Sequence, residues 1–129
     1  MKYLLSLFFL VSSSFVFSQK EASNWCFGNF AGLKFHPDGS VESFPSEIGS
    51  QFGCATISDK NGNLLFYSNG EMIWNKEGNI MLNGNGLMGN LYCAQSVNIV
   101  PKPGVSNLYY VFTLNLNSRG NQFRYSIVN

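Results

Sequence analysis

The chain has 129 residues, of which 45% are hydrophobic, 16% aromatic and 12% charged; that is enough for one domain with a real core and too little for a two-domain enzyme. The charged share is about half of the roughly 25% usual in soluble domains, which excludes a charge-rich disordered chain. Eight basic against seven acidic residues leave a net charge of +1, so no basic footprint points to nucleic acid.

Residues 1–18 read as a cleaved secretory signal. Lys2 supplies the charged start, Leu4 to Val11 form a mostly apolar stretch broken by Ser6, and Val16 and Ser18 precede a cut before Gln19. A membrane span needs about 20 apolar residues, whereas Ser12, Ser13 and Ser14 interrupt this run and Lys20 with Glu21 end it. The chain is therefore expected to be exported, secreted or held at the outer cell surface, with no membrane span in its mature part. Without the signal 111 residues remain, and the loss of Lys2 makes them neutral. They retain all 13 Gly and all 16 Asn, the residues that most readily take positive φ in tight turns. So many turns imply many short strands.

The strand-like runs follow in order: Trp25–Phe27, Leu33–His36 and Ser40–Phe44, then Ala55–Ser58, Leu64–Ser68, Glu71–Trp74 and Ile80–Leu82. After the Gly- and Asn-rich stretch Asn83–Asn90 come Ser96–Val100, Leu108–Leu114 and Phe123–Val128. The turns between them carry Pro37-Asp38-Gly39, Asp59-Lys60-Asn61-Gly62, Asn69-Gly70 and Lys76-Glu77-Gly78-Asn79. No window shows an apolar helical period, so the chain is expected to be all-β. The runs around Ile57 and Phe66 resemble those around Ile99 and Tyr110, at offsets of 42 and 44 residues. A spacing of about 40–45 with three or four strands per unit is the signature of a β-propeller blade; a small sandwich or barrel is the competing architecture.

A longer pattern supports the first architecture. Trp25-Cys26-Phe27-Gly28 with Ala31-Gly32-Leu33-Lys34-Phe35, Gly53-Cys54-Ala55-Thr56-Ile57-Ser58-Asp59, Gly62-Asn63-Leu64-Leu65-Phe66-Tyr67, Trp74-Asn75, Gly86-Leu87-Met88-Gly89-Asn90, Gln95-Ser96 and Ile99-Val100-Pro101-Lys102-Pro103-Gly104 together resemble the N-terminal β-propeller-like region of large secreted or cell-surface proteins of gliding, type IX secreting bacteria. Those proteins often end in a gliding-motility-associated sorting domain, and the resemblance implies architecture and address rather than chemistry. It implies an incomplete β-propeller of about two blades of antiparallel meander sheets over residues 19–129, with units roughly at 24–90 and 91–129 and the last one truncated. Downstream blades of the same protein would then be its partners, and the isolated chain is expected to associate through open sheet edges.

Few residues could carry chemistry. Cys26, Cys54 and Cys93 are an odd number in an exported chain, and Cys54 with Cys93, each just before a corresponding strand, is the candidate disulfide; three free thiols are the alternative. Without a Cys-x-x-Cys pair a zinc site is not expected, and no other metal or cofactor is. The single histidine, His36, sits in a turn with Asp38 and lacks any supporting nucleophile motif. Asp59, Asn61 and Asn63 alternate as in a calcium loop, but Gly62 and Leu64 break that pattern and fit a hairpin turn. No catalytic set is expected. Most of the aromatics should pack in the core, and Trp74 and Tyr92, beside Asn-rich loops, are the candidates for stacking against a glycan or a protein ligand. The expected function is that of a non-catalytic propeller segment for adhesion or ligand binding; the alternative is part of a propeller hydrolase whose active site needs further blades.

Overall fold

A computed structural model of the protein describes residues 20–117 and 120–129; the expected signal, residues 1–18, lies outside the described residues. Ten strands and no helix occur among them: β1 Asn24–Phe27, β2 Ala31–Phe35, β3 Val41–Pro45, β4 Ala55–Ser58, β5 Leu64–Ser68, β6 Met72–Asn75, β7 Ile80–Asn85, β8 Val97–Pro101, β9 Tyr109–Asn117 and β10 Gly120–Val128. The described residues are all-β, and each strand overlaps one of the ten short apolar or β-branched runs, with β2 starting earlier, at Ala31, β7 reaching Asn85 and β10 starting at Gly120.

The strands form three antiparallel meanders. Sheet I is β1-β2-β3, sheet II is β4-β5-β6-β7 and sheet III is β8-β9-β10. Residues 24–90, expected as one unit, hold two of these sheets. The spacing of 42 residues relates only sheets II and III. Sheet I escaped it because it has three strands and a shorter repeat, with no counterpart to β7.

Alternation along the strands decides which side chains meet. Cys54, just before β4, and Thr56 turn toward sheet I while Ala55 and Ile57 turn toward sheet III. One core, between sheets I and II, is built from Cys26, Ile48, Tyr67 and Trp74, with Phe44, Leu64 and Met72 at its margin. The other, between sheets II and III, is built from Ile57, Phe66, Ile73, Val97, Ile99 and Val111. Sheet II is thus covered on both faces, which explains why β5 and β6 read as continuous apolar runs rather than alternating ones. Buried polar groups tie the layers together. The Asn24 amide nitrogen donates to Ser58 Oγ and to the Gly62 carbonyl, both at 2.9 Å. The Ser96 hydroxyl, fully buried, lies 3.1 Å from the Gly53 carbonyl and 3.2 Å from that of Asn69.

Local turn chemistry sets the registers. Asp59 Oδ1 accepts the amides of Asn61 at 2.8 Å and Asn63 at 2.9 Å, and the Gly62 amide donates to the Asp59 carbonyl. Asn75 Oδ1 accepts from Glu77 and Asn79 in the same way, and the Gly78 amide donates to the Asn75 carbonyl. Gly62 and Gly78 stand at φ of 88° and 83°, where a Cβ is strained, so each closes a hairpin that begins with a type I turn.

Candidate functional site

Each sheet leaves one edge of its first strand unpaired: β1 bonds only β2, β4 only β5, and β8 only β9. These three first strands lie side by side, β1 against β4 and β4 against β8. Their edges line a concave surface. Its main cleft, about 490 Å³, lies between Cys54–Thr56 and Ala94–Ile99 and is completed by Phe112, Thr113, Leu114 and Phe123. A smaller hollow of about 200 Å³ continues along residues 24–27 and shares Cys54 and Thr56 with the first. The lining mixes hydroxyl and amide groups of Thr56, Gln95, Ser96 and Asn98 with apolar walls, a composition suited to an uncharged polar ligand.

The segments that enter the main cleft carry an exposed aromatic pair. Tyr92 is 83% exposed and Phe52 46%, with ring centroids 6.5 Å apart. Asn90 Oδ1 accepts the Tyr92 amide at 2.8 Å and fixes the backbone that presents the ring. The Gly53 amide donates to the Cys93 carbonyl at 3.1 Å, which joins the two loops behind the rings. Tyr92 is thus exposed beside Phe52, a residue that the sequence did not single out. The signal for it was faint: Phe52 precedes Tyr92 by 40 residues, close to the spacing between sheets II and III.

Trp74 is placed elsewhere. It is 5% exposed and stacks on Tyr67, with centroids 5.7 Å apart and planes 18° from parallel. It offers no free face to a ligand, because β6 is an inner strand of a sheet covered on both sides. The phenol oxygen of Tyr67 accepts the Glu47 amide at 3.2 Å, and burial pushes its pKa up.

Cys26, Cys54 and Cys93 are all free thiols in the structure, so the Cys54–Cys93 bond is absent from it. The Cys54 sulfur donates to the Cys26 carbonyl at 3.1 Å, on the side of sheet I, from the residue just before β4. Burial pushes the Cys26 thiol up to about 11, against the lowering effect of its hydrogen bond with Thr56, and burial raises Cys54 as well. Thiols held in this way are poor nucleophiles. His36 Nε2 lies 3.1 Å from Glu42 Oε2 on the exposed β2–β3 hairpin, a surface pair of small energetic weight. Asp59 sits in its turn with Oδ2 accepting from the Asn63 side chain at 2.9 Å, and these bonds hold its carboxyl below the usual range. A neutral Asn75 accepts the equivalent amides at the β6–β7 hairpin, so hydrogen bonds of this kind close such a turn without a charge. Among the described residues, no three His, Cys, Asp or Glu side chains are grouped to hold a metal.

Among the described residues, no helix is long and apolar enough to cross a membrane. Compared with known proteins, the chain matches no family model, no curated protein and no solved structure.

Proposed function

We propose that this chain is an exported, non-catalytic segment of a β-propeller-like surface protein and that it binds a glycan or peptide at the concave edge of its sheets. The observation that carries the binding reading is the exposed Phe52–Tyr92 pair, two residues before Cys54 and Ala94 of the lining of the 490 Å³ cleft. Rings exposed in this way present apolar faces to sugar C–H groups or to ligand side chains, and the neighbouring amides and hydroxyls offer hydrogen bonds. The propeller reading is supported by three consecutive meanders whose first strands meet side by side, the arrangement of blades around an axis. Export is supported by the N-terminal segment and by the resemblance to type IX secreted proteins.

The test is a glycan and peptide array probed with the chain, repeated with Tyr92→Ala and Phe52→Ala. Both rings are substantially exposed, so the variants should melt like the wild type while their array signal falls about tenfold or more. Signal retained in both variants would remove the aromatic pair from the site.

A further inference from the structure

Side chains hold the seam between sheets I and II. Strands β1 and β4 lie against each other but belong to different sheets, so no ladder pairs them. Asn24 Nδ2 donates to Ser58 Oγ, the Cys26 amide donates to Thr56 Oγ1 at 2.9 Å, and the Cys54 sulfur donates to the Cys26 carbonyl at 3.1 Å. Alternation along β1 turns Cys26 into the core shared with sheet II, where it is 3% exposed. Cys54 packs against that same core from the other side of the seam.

Bond lengths limit how far apart these two cysteines can be. The path between their Cα atoms runs through Cys54 Cβ and Sγ, the hydrogen bond and the Cys26 carbonyl, which keeps the Cα atoms less than about 8 Å apart. Bends at the sulfur and at the carbonyl oxygen shorten that span toward the roughly 4.4–6.8 Å that a disulfide bridges. Cys93 is placed differently. Its carbonyl accepts the Gly53 amide, while the Cys54 side chain is directed to sheet I.

We propose that Cys26 and Cys54 are the pair that oxidises, forming a disulfide that fastens sheet I to sheet II, and that Cys93 stays a thiol. The structure describes the reduced pair. The oxidant is a disulfide of the glutathione class, as an oxidising compartment supplies; in the cell that supply rests on the export proposed above. Cys54 is the less buried of the two and lines both the main cleft and the smaller hollow, so the oxidant reaches it first. Its thiolate attacks one sulfur of the oxidant, expels a thiolate and leaves a mixed disulfide. The Cys26 thiolate then attacks the Cys54 sulfur and expels the second thiolate. The pair gives up two electrons and two protons, and the oxidant becomes two thiols. Burial favours the protonated form of both cysteines, so exchange in the folded chain is slow at neutral pH and the bond forms fastest during folding. The two residues are 28 apart in sequence, a loop long enough for the bond to restrict the unfolded chain.

The experiment refolds the whole reduced chain in a mixture of reduced and oxidised glutathione, alkylates the remaining thiols under denaturing conditions and maps the tryptic fragments. Glutathione disulfide is added directly, so the result does not depend on export. Fragments 21–34 and 35–60, which carry Cys26 and Cys54, should be joined, and Cys93 should be alkylated. Reduction should then lower Tm by roughly 10 °C in the wild type and in Cys93→Ala, and leave Cys54→Ala unchanged. Three alkylated cysteines, a bond from Cys93 to either partner, or glutathione retained on Cys54 would each overturn the pairing. A wild-type Tm indifferent to reduction would overturn the fastening of the two sheets.

Discussion

Asn24→Leu should be among the most damaging single changes in the chain, although it keeps the side chain nearly the same size. Asn24 is 4% exposed, and its amide donates across from sheet I to Ser58 Oγ and to the Gly62 carbonyl, each at 2.9 Å. Leucine removes both donors and presents a methyl group to each acceptor. A buried acceptor left without its bond costs about 1–3 kcal/mol, so two acceptors cost about 2–6 kcal/mol. The added apolar surface offsets about 1 kcal/mol of that. A net loss of about 3 kcal/mol corresponds to a fall in Tm of roughly 10–20 °C for a domain of this size. The assay is thermal melting followed by circular dichroism at one fixed chain concentration, because any association would itself add stability. Ser58→Ala completes a double-mutant cycle, and the pair should be coupled by about 1–2 kcal/mol. An Asn24→Leu variant within about 0.5 kcal/mol of the wild type, additive with Ser58→Ala, would refute the role given to this bridge.

Two further outcomes follow from the thiols and turns. The folded state holds the Cys26 proton more tightly than the unfolded chain, with a pKa raised from 9.0 to about 11. Its contribution is therefore fully present below pH 9 and is lost as pH rises toward 11. Titration of stability over that window should show a steeper decline in the wild type than in Cys26→Ala, and equal slopes would contradict the burial of this thiol. Asp59→Ala should lower Tm by removing the turn bonds to Asn61 and Asn63, while added calcium should leave the melting of both proteins unchanged. A calcium-dependent rise in the wild type that Asp59→Ala abolishes would instead make the turn an ion site.

The strands and turns were legible because their determinants are local. Asp59 and Asn75 each bond amides within four residues, and the Gly that follows takes the φ that other residues avoid, so Asx-x-x-Gly between apolar runs is readable without the fold. Sheet count was less legible. The repeat between the Ile57 and Ile99 regions is visible because both strands bury alternate β-branched residues, whereas β1 buries Asn24 and Cys26 and resembles neither. Burial of Trp74 depends on its pairing with Tyr67 across two strands and on sheet I lying over both, none of which is encoded near residue 74. Tyr92 was legible from its position in a polar loop. The proximity of Phe52 to Tyr92 became visible only in the structure.

The most direct measurement of the central claim is calorimetric titration of the strongest array ligand into the wild type, Tyr92→Ala, Phe52→Ala and the double variant. An aromatic contact of about 1–1.5 kcal/mol predicts binding about tenfold weaker in each single variant, and a double variant weakened by less than the product of the two, because the rings form one platform. Affinity unchanged in all three variants would contradict a binding site built on the Phe52–Tyr92 pair.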